Sequence, residues 1–230
     1  FKLDFSDFRD DLDTKENNER FFAGIANVPK KAKDKMAIYP LFIQHIIHNL
    51  NKGGKAAIVV PTGFLTAHGG IDKKIRQKLV DKKLLAGVVS MPSNIFAATG
   101  TNVSILFIDD ADKGDVLLID ASKMGEPYKD GKLQKTLLSV SEENKIIKNF
   151  NEKIPEDDFS VVVTYDDIKA KNYSFSAGQY FEVKIEYKDI TYEEFSNKMN
   201  GFKKSLNKLF GESSDLELAI ANHLEDIIYE

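Results

Sequence analysis

The sequence predicts an α/β fold built on a largely parallel sheet. Three observations carry this. An amphipathic helix is written into 39–51, a second into 70–82, and short β-branched runs at 55–61 and 84–92 each stop at a proline, Pro61 and Pro92. Helix, strand, helix, strand in alternation is the pattern of a doubly wound sheet. At 230 residues the chain is one domain, or a domain with an appendage, and 42% hydrophobic content suffices for a packed core. With no cysteine there is neither a disulfide framework nor a thiolate metal site. The net charge is −4 and the only arginines are Arg9, Arg20 and Arg76. Arginine makes the commonest bidentate contact to guanine, so this stretch is poorly equipped to read DNA sequence. No apolar run approaches the roughly 18 residues of a membrane span.

Each element follows from its pattern. Residues 2–20 are crowded with acids, interrupted by Phe5 and Phe8 and followed by Phe21 and Phe22; they read as a solvated loop or short helix with its aromatics on the body. Tyr39, Phe42, Ile43, Ile46, Ile47 and Leu50 repeat along one helical face, Pro40 suits the first turn, and Gly53-Gly54 ends the element. KAAIVVP (55–61) and LLAGVVSMP (84–92) read as buried parallel strands. Between them, Ile71, Ile75, Leu79 and Val80 turn inward from a helix. TNVSILFID (101–109) and DVLLIDA (115–121) flank ADKG and suggest an antiparallel edge hairpin. Residues 122–158 are polar, with a helix at 141–150. FSVVVTYDDI runs from strand into turn, and 172–183 is aromatic and turn-rich.

The C-terminus differs. Phe195, Met199, Phe202, Leu206 and Leu209 step by 4, 3, 4, 3, a coiled-coil seam. Thr191 and Glu194 form a capping box ahead of it, Gly211 breaks it, and Ser214 with Glu217 starts a second helix. The expectation is a helical hairpin that folds onto its own body or docks a partner.

Ligands of open α/β sheets bind beyond the carboxyl ends of the strands. That rule marks PTGFLTAHGG (61–70) and MPSNIFAATGTN (91–102), both rich in small residues and each with one exposed-looking aromatic, Phe64 and Phe96. Small residues let a ligand approach the backbone, and an aromatic offers a stacking surface. Phosphate-loop, dinucleotide and nucleophile-elbow patterns are absent. His45 and His48 lie off the apolar face of their helix, and His68 is the sole nearby third ligand, so they read as solvated polar residues.

The ordered string YPLFIQHIIHNLNKGGKAAIVVPTGFLTAHGG, IRQKLVDKKLLAGVVSMPSNIFAATGTNVSILFID and LLIDAS resembles the modification subunit of type I restriction–modification systems. Those are adenine-N6 DNA methyltransferases. The resemblance implies the C-terminal part of a Rossmann-like, S-adenosylmethionine-dependent methyltransferase sheet at 1–125, an extension at 126–187, and a subunit-contacting helical hairpin at 188–230. It implies that Phe1 is the last residue of the catalytic N-P-P-F motif and the stacking face for a flipped adenine. Phe96, Thr99 and Thr101 would line the base pocket; Pro61, Thr62, Gly63 and Phe64 would flank the cleft. Tyr39, and less so Phe42, would approach the cofactor's adenine, with the main cofactor site upstream of these residues and no metal required. The implied partners are double-stranded DNA, a specificity subunit, a second modification subunit and a restriction subunit, in the cytoplasm. The chain alone is expected to be inactive. A purely docking role and a single-chain restriction–modification enzyme are the alternatives.

Overall fold

The computed structural model describes residues 2–96, 102–182 and 190–225. They form two compact units that divide between residues 182 and 183.

In the first unit a short helix, α1 (Arg9–Leu12), opens the acidic segment. As expected, the segment holds a short helix and packs aromatics on the body. Phe5, Ile25 and Met36 are buried together against Phe21 and Leu41, and Lys2 bridges to Ala37. Phe8 stays exposed. Helix α2 (Tyr39–Asn49) carries Pro40 in its first turn, where no intrahelical donor is lost. Strand β1 (Lys55–Pro61), helix α3 (Gly70–Asp81) and strand β2 (Leu85–Ser90) follow, as the periodicity predicts. Ile75, Leu79 and Val80 of α3 are fully buried.

The expected edge hairpin is corrected. Strand β3 (Val103–Asp109) lies between β1 and β2, antiparallel to both, with Ile58 opposite Leu106 and Val88 opposite the same residue. Strand β4 (Val116–Asp120) pairs parallel with β2 on its far side, Val88 opposite Leu118. Strands lie about 4.8 Å apart, so residues 110–115 need only cross roughly 10 Å over the start of β2. Asp109 shapes that crossing by accepting from the N–H groups of Ala111 and Asp112.

Residues 126–137, read only as polar, form a two-stranded hairpin of β5 (Glu126–Asp130) and β6 (Leu133–Leu137). Helix α4 (Val140–Glu152) begins earlier than expected, at a Ser139–Glu142 capping box. Strand β7 (Ser160–Val163) completes a five-stranded sheet of order β1-β3-β2-β4-β7. The turn expected after it is a helix, α5 (Tyr165–Ala170), capped reciprocally by Thr164 and Asp167.

Helices cover both faces. Ile43 of α2, Ile75 and Leu79 of α3 and Ile168 of α5 share one core with β2 and β3. Phe150 of α4 packs on the other face, its ring centroid 4.4 Å from that of Phe107. Gly87 permits this approach, since a Cβ there would lie 2.7 Å from the Phe150 ring.

Among the described residues the second unit is one helix, α6 (Tyr192–Glu225), unbroken where a helical hairpin was expected, so that expectation is corrected too. A single glycine costs a helix about 1 kcal/mol, too little to break one this long. The Lys208–Glu212 ion pair spans Gly211 from i to i+4. The Thr191–Glu194 capping box is present at its start.

Candidate active site

β1 and β2 both run antiparallel to β3, and β4 runs parallel to β2. The ends of β1, β2 and β4 and the start of β3 therefore share one edge. Backbone hydrogen bonds stitch it: Thr62 N–H to Asn102 O, Met91 N–H to Val103 O and Ala121 N–H to Ser90 O, each 2.9 Å. A row of hydroxyls crosses it, with Thr62 Oγ1 3.1 Å from Ser104 Oγ and Ser104 Oγ 3.5 Å from Ser90 Oγ.

The two marked loops rise from this edge. Pro61 ends β1, and Thr62 and Gly63 begin the 3-10 turn Thr62–Leu65. Thr62 is half-buried and Gly63 exposed, with no atom near where its Cβ would stand. Phe96, in the loop after β2, is 43% exposed. Phe64 is corrected: the turn folds its ring into the core, fully buried, edge-on to Tyr39 and Phe175. Phe42, a residue the helical pattern puts in the core, is 54% exposed instead. Phe1, Thr99 and Thr101 lie outside the described residues.

A buried arginine that the pattern did not single out holds the loop after β1. Arg76 of α3 is 1% exposed. Its Nε donates to Tyr173 O at 2.7 Å, and its terminal nitrogens donate to Phe64 O and Ala67 O. The guanidinium also lies over the Phe64 and Phe175 rings. The signal was available: a cation sits between Ile75 and Leu79 beside an apolar face, and such a charge needs internal acceptors.

One turn earlier, Tyr39 donates to Asp72 Oδ2 at 2.7 Å. Burial, then the bond to Asp72, pushes the Tyr39 hydroxyl well above its ordinary range. Burial also raises the Asp72 carboxyl, against the pull of Tyr39 and Arg76. Tyr39 and Asp72 line a cavity of about 320 Å³ with Gly24, Ala26, Ala37 and Gly69 among its walls. Gln44 sets one wall, accepting from Ala23 N–H at 2.7 Å and donating to Gly24 O at 3.1 Å.

The sheet edge, its two small-residue loops and the exposed Phe96 belong to a stretch matched by the family model described as N-6 DNA Methylase, over residues 3–189. The chain belongs to the N-6 DNA methylase family. It is 30% identical over 197 residues to the MjaIX methylase subunit of a type I restriction enzyme from Methanocaldococcus jannaschii, covering 80% of this chain and 34% of the relative. It is 30% identical over 188 residues to the MpnII methylase subunit from Mycoplasma pneumoniae, covering 81% of this chain and 32% of the relative. In fold it is similar to the crystal structure of a type I restriction-modification methyltransferase subunit from Streptococcus thermophilus (TM-score 0.60, 23% identity, 79% of this chain and 36% of that one). The chain thus spans about a third of the length of the curated relatives it matches.

The described residues contain no group of three His, Asp or Glu side chains placed to hold a metal ion. His45, His48 and His68 are all exposed. Among the described residues no helix is long and apolar enough to cross a membrane.

Proposed function

We propose that this chain contributes the base-binding half of an adenine-N6 DNA methyltransferase that works as the modification subunit of a type I restriction–modification system. The observation that carries the reading is the convergence of the 61–64 and 91–96 loops on one sheet edge of a family-matched chain, with Phe96 open to solvent. Methylating adenine N6 requires the base out of the duplex, at a cost of a few kcal/mol. An aromatic face offsets part of that cost, about 1–3 kcal/mol per stacked base. Phe1 is assigned one face of the base and Phe96 the other side of its pocket. Thr99 and Thr101 are assigned to the base or the DNA backbone. Pro61, Thr62 and Gly63 flank the cleft, and Phe64 serves it indirectly, as the core anchor of the turn.

The residues present fit one edge of S-adenosylmethionine. Tyr39 and Phe42 stand three apart on the first turns of α2, with the exposed Phe42 ring free to meet a flat adenine. When bound, the cofactor supplies an electrophilic methyl on its sulfonium sulfur. The protein's task is then positioning: holding the exocyclic nitrogen in line with that methyl. The seam of α6 is assigned to the specificity subunit, in an assembly with a second modification subunit and the restriction subunit.

Methyl transfer to duplex DNA by the intact protein tests the reading. Phe1→Ala and Phe96→Ala should each lower the rate by about 10- to 100-fold, as removal of one stacking surface implies, with cofactor affinity nearly unchanged. Equal loss of methylation and cofactor binding would make these rings structural instead.

A further inference from the structure

The β5–β6 hairpin buries neither face. All five residues of β5 are exposed, as are Leu133, Gln134 and Leu137 of β6. A two-stranded ribbon of this kind is marginal in water by itself. Here it is fastened at its root and along one edge. Gly125 N–H donates to Glu142 Oε1 at 2.7 Å. Gly125 has φ +82°, and a Cβ there would lie 2.7 Å from Thr136 Cγ2, so glycine sets how the ribbon leaves the body. Thr136 N–H donates to Asn94 O at 3.1 Å. Asn94, itself left-handed at φ 56°, stands two residues before Phe96. The ribbon is thus tied to the loop that carries the proposed base-facing ring.

Its charge runs against that of the whole chain. Between 123 and 135 there are four lysines (Lys123, Lys129, Lys132 and Lys135) and two carboxylates, Glu126 and Asp130, in a chain of net charge −4. Lys135 is engaged by Asp130. Lys129 and Lys132, at the tip, are exposed and make no ion pair among the described residues. Five extended residues reach about 17 Å, comparable to the axial rise of roughly five nucleotides of one DNA strand.

We propose that the β5–β6 ribbon is a DNA-backbone clamp, with Lys129 and Lys132 gripping phosphates of the strand whose adenine is extruded toward Phe96. The proposal rests on the methyltransferase reading. Lysine is a point charge on a flexible stem, suited to phosphates rather than to base edges. A grip beside the extruded nucleotide holds the strand in register while the base is unstacked, and it needs no sequence readout. The competing account is that the lysines keep an open ribbon from pairing with other strands. Salt dependence separates the two, because only phosphate binding releases counterions.

The test is duplex-DNA affinity of the intact protein, with its partner subunits, across a salt series, by fluorescence anisotropy. Lys129→Ala with Lys132→Ala should weaken DNA binding about 10-fold and lower the slope of log K against log salt by about 2, one for each phosphate no longer gripped. Affinity for S-adenosylmethionine should not move. Lys129→Arg with Lys132→Arg should restore both affinity and slope, since the charge is kept. Unchanged affinity and slope in the alanine variant, beside a wild type that binds and methylates DNA, would overturn the clamp and leave the methyltransferase reading standing. A wild type that neither binds nor methylates DNA would overturn both.

Discussion

The sheet unit and α6 are made of the same apolar residue types and treat them in opposite ways. In the first, Ile43, Ile75, Leu79 and Leu118 are fully buried. In the second, Phe195, Met199, Phe202, Leu206 and Leu209 remain 50–63% exposed. Burial at about 25 cal/mol per Å² is therefore what holds the first unit together. The helix is sustained locally: it far exceeds the roughly 12–15 residues at which isolated helices become marginal, and it opens on a capping box. Its apolar stripe is surplus to its own folding, and the proposed contact with a specificity subunit would cover it. Residue type alone does not say whether an apolar side chain serves folding or recognition; its surroundings do.

Substitutions sharpen the contrast. The largest loss is expected at Arg76. Arg76→Met would strand the carbonyls of Phe64, Ala67 and Tyr173 without a donor and should cost about 4 kcal/mol in urea unfolding. A loss below about 1 kcal/mol would mean that water replaces the guanidinium, and that the loop after β1 is not held as described. Leu118→Ala, in the middle of the sheet, should cost about 3 kcal/mol by the same measurement. The smallest effect belongs to α6. Leu206→Asp with Leu209→Asp should shift the stability of the chain by no more than about 0.5 kcal/mol, yet abolish co-purification with the specificity subunit. Pairing that survives would remove the seam from the assembly. Strong destabilisation would mean that it is buried after all.

Local elements were legible where one signal dominated. α2 and α3 fall within a residue or two of their expected spans because three turns of period 3.6 leave little choice. β1 and β2 announce themselves through β-branched runs stopped by prolines. The site was legible in part. Phe96 is exposed, as its loop suggested, whereas Phe64, in a loop of the same composition, is buried because Arg76 and Phe175 receive its ring. The β5–β6 hairpin escaped because strands exposed on both faces show no alternation to read. Capping boxes at Ser139 and Thr164 were visible in principle, since serine or threonine stands three residues before an acid in both.

By itself the sequence determined α2, α3, β1 and β2, the apolar seam at 195–209 and the two loops that leave the strand ends. These follow from periodicity, proline stops and turn residues, all local along the chain. Only the tertiary structure decided that β3 enters between β1 and β2 and that Arg76 holds the loop beside the site. Strand order depends on which edges find partners, and a buried cation on carbonyls brought in from Phe64, Ala67 and Tyr173. None of those partners is a neighbour in sequence, so no local pattern could have named them.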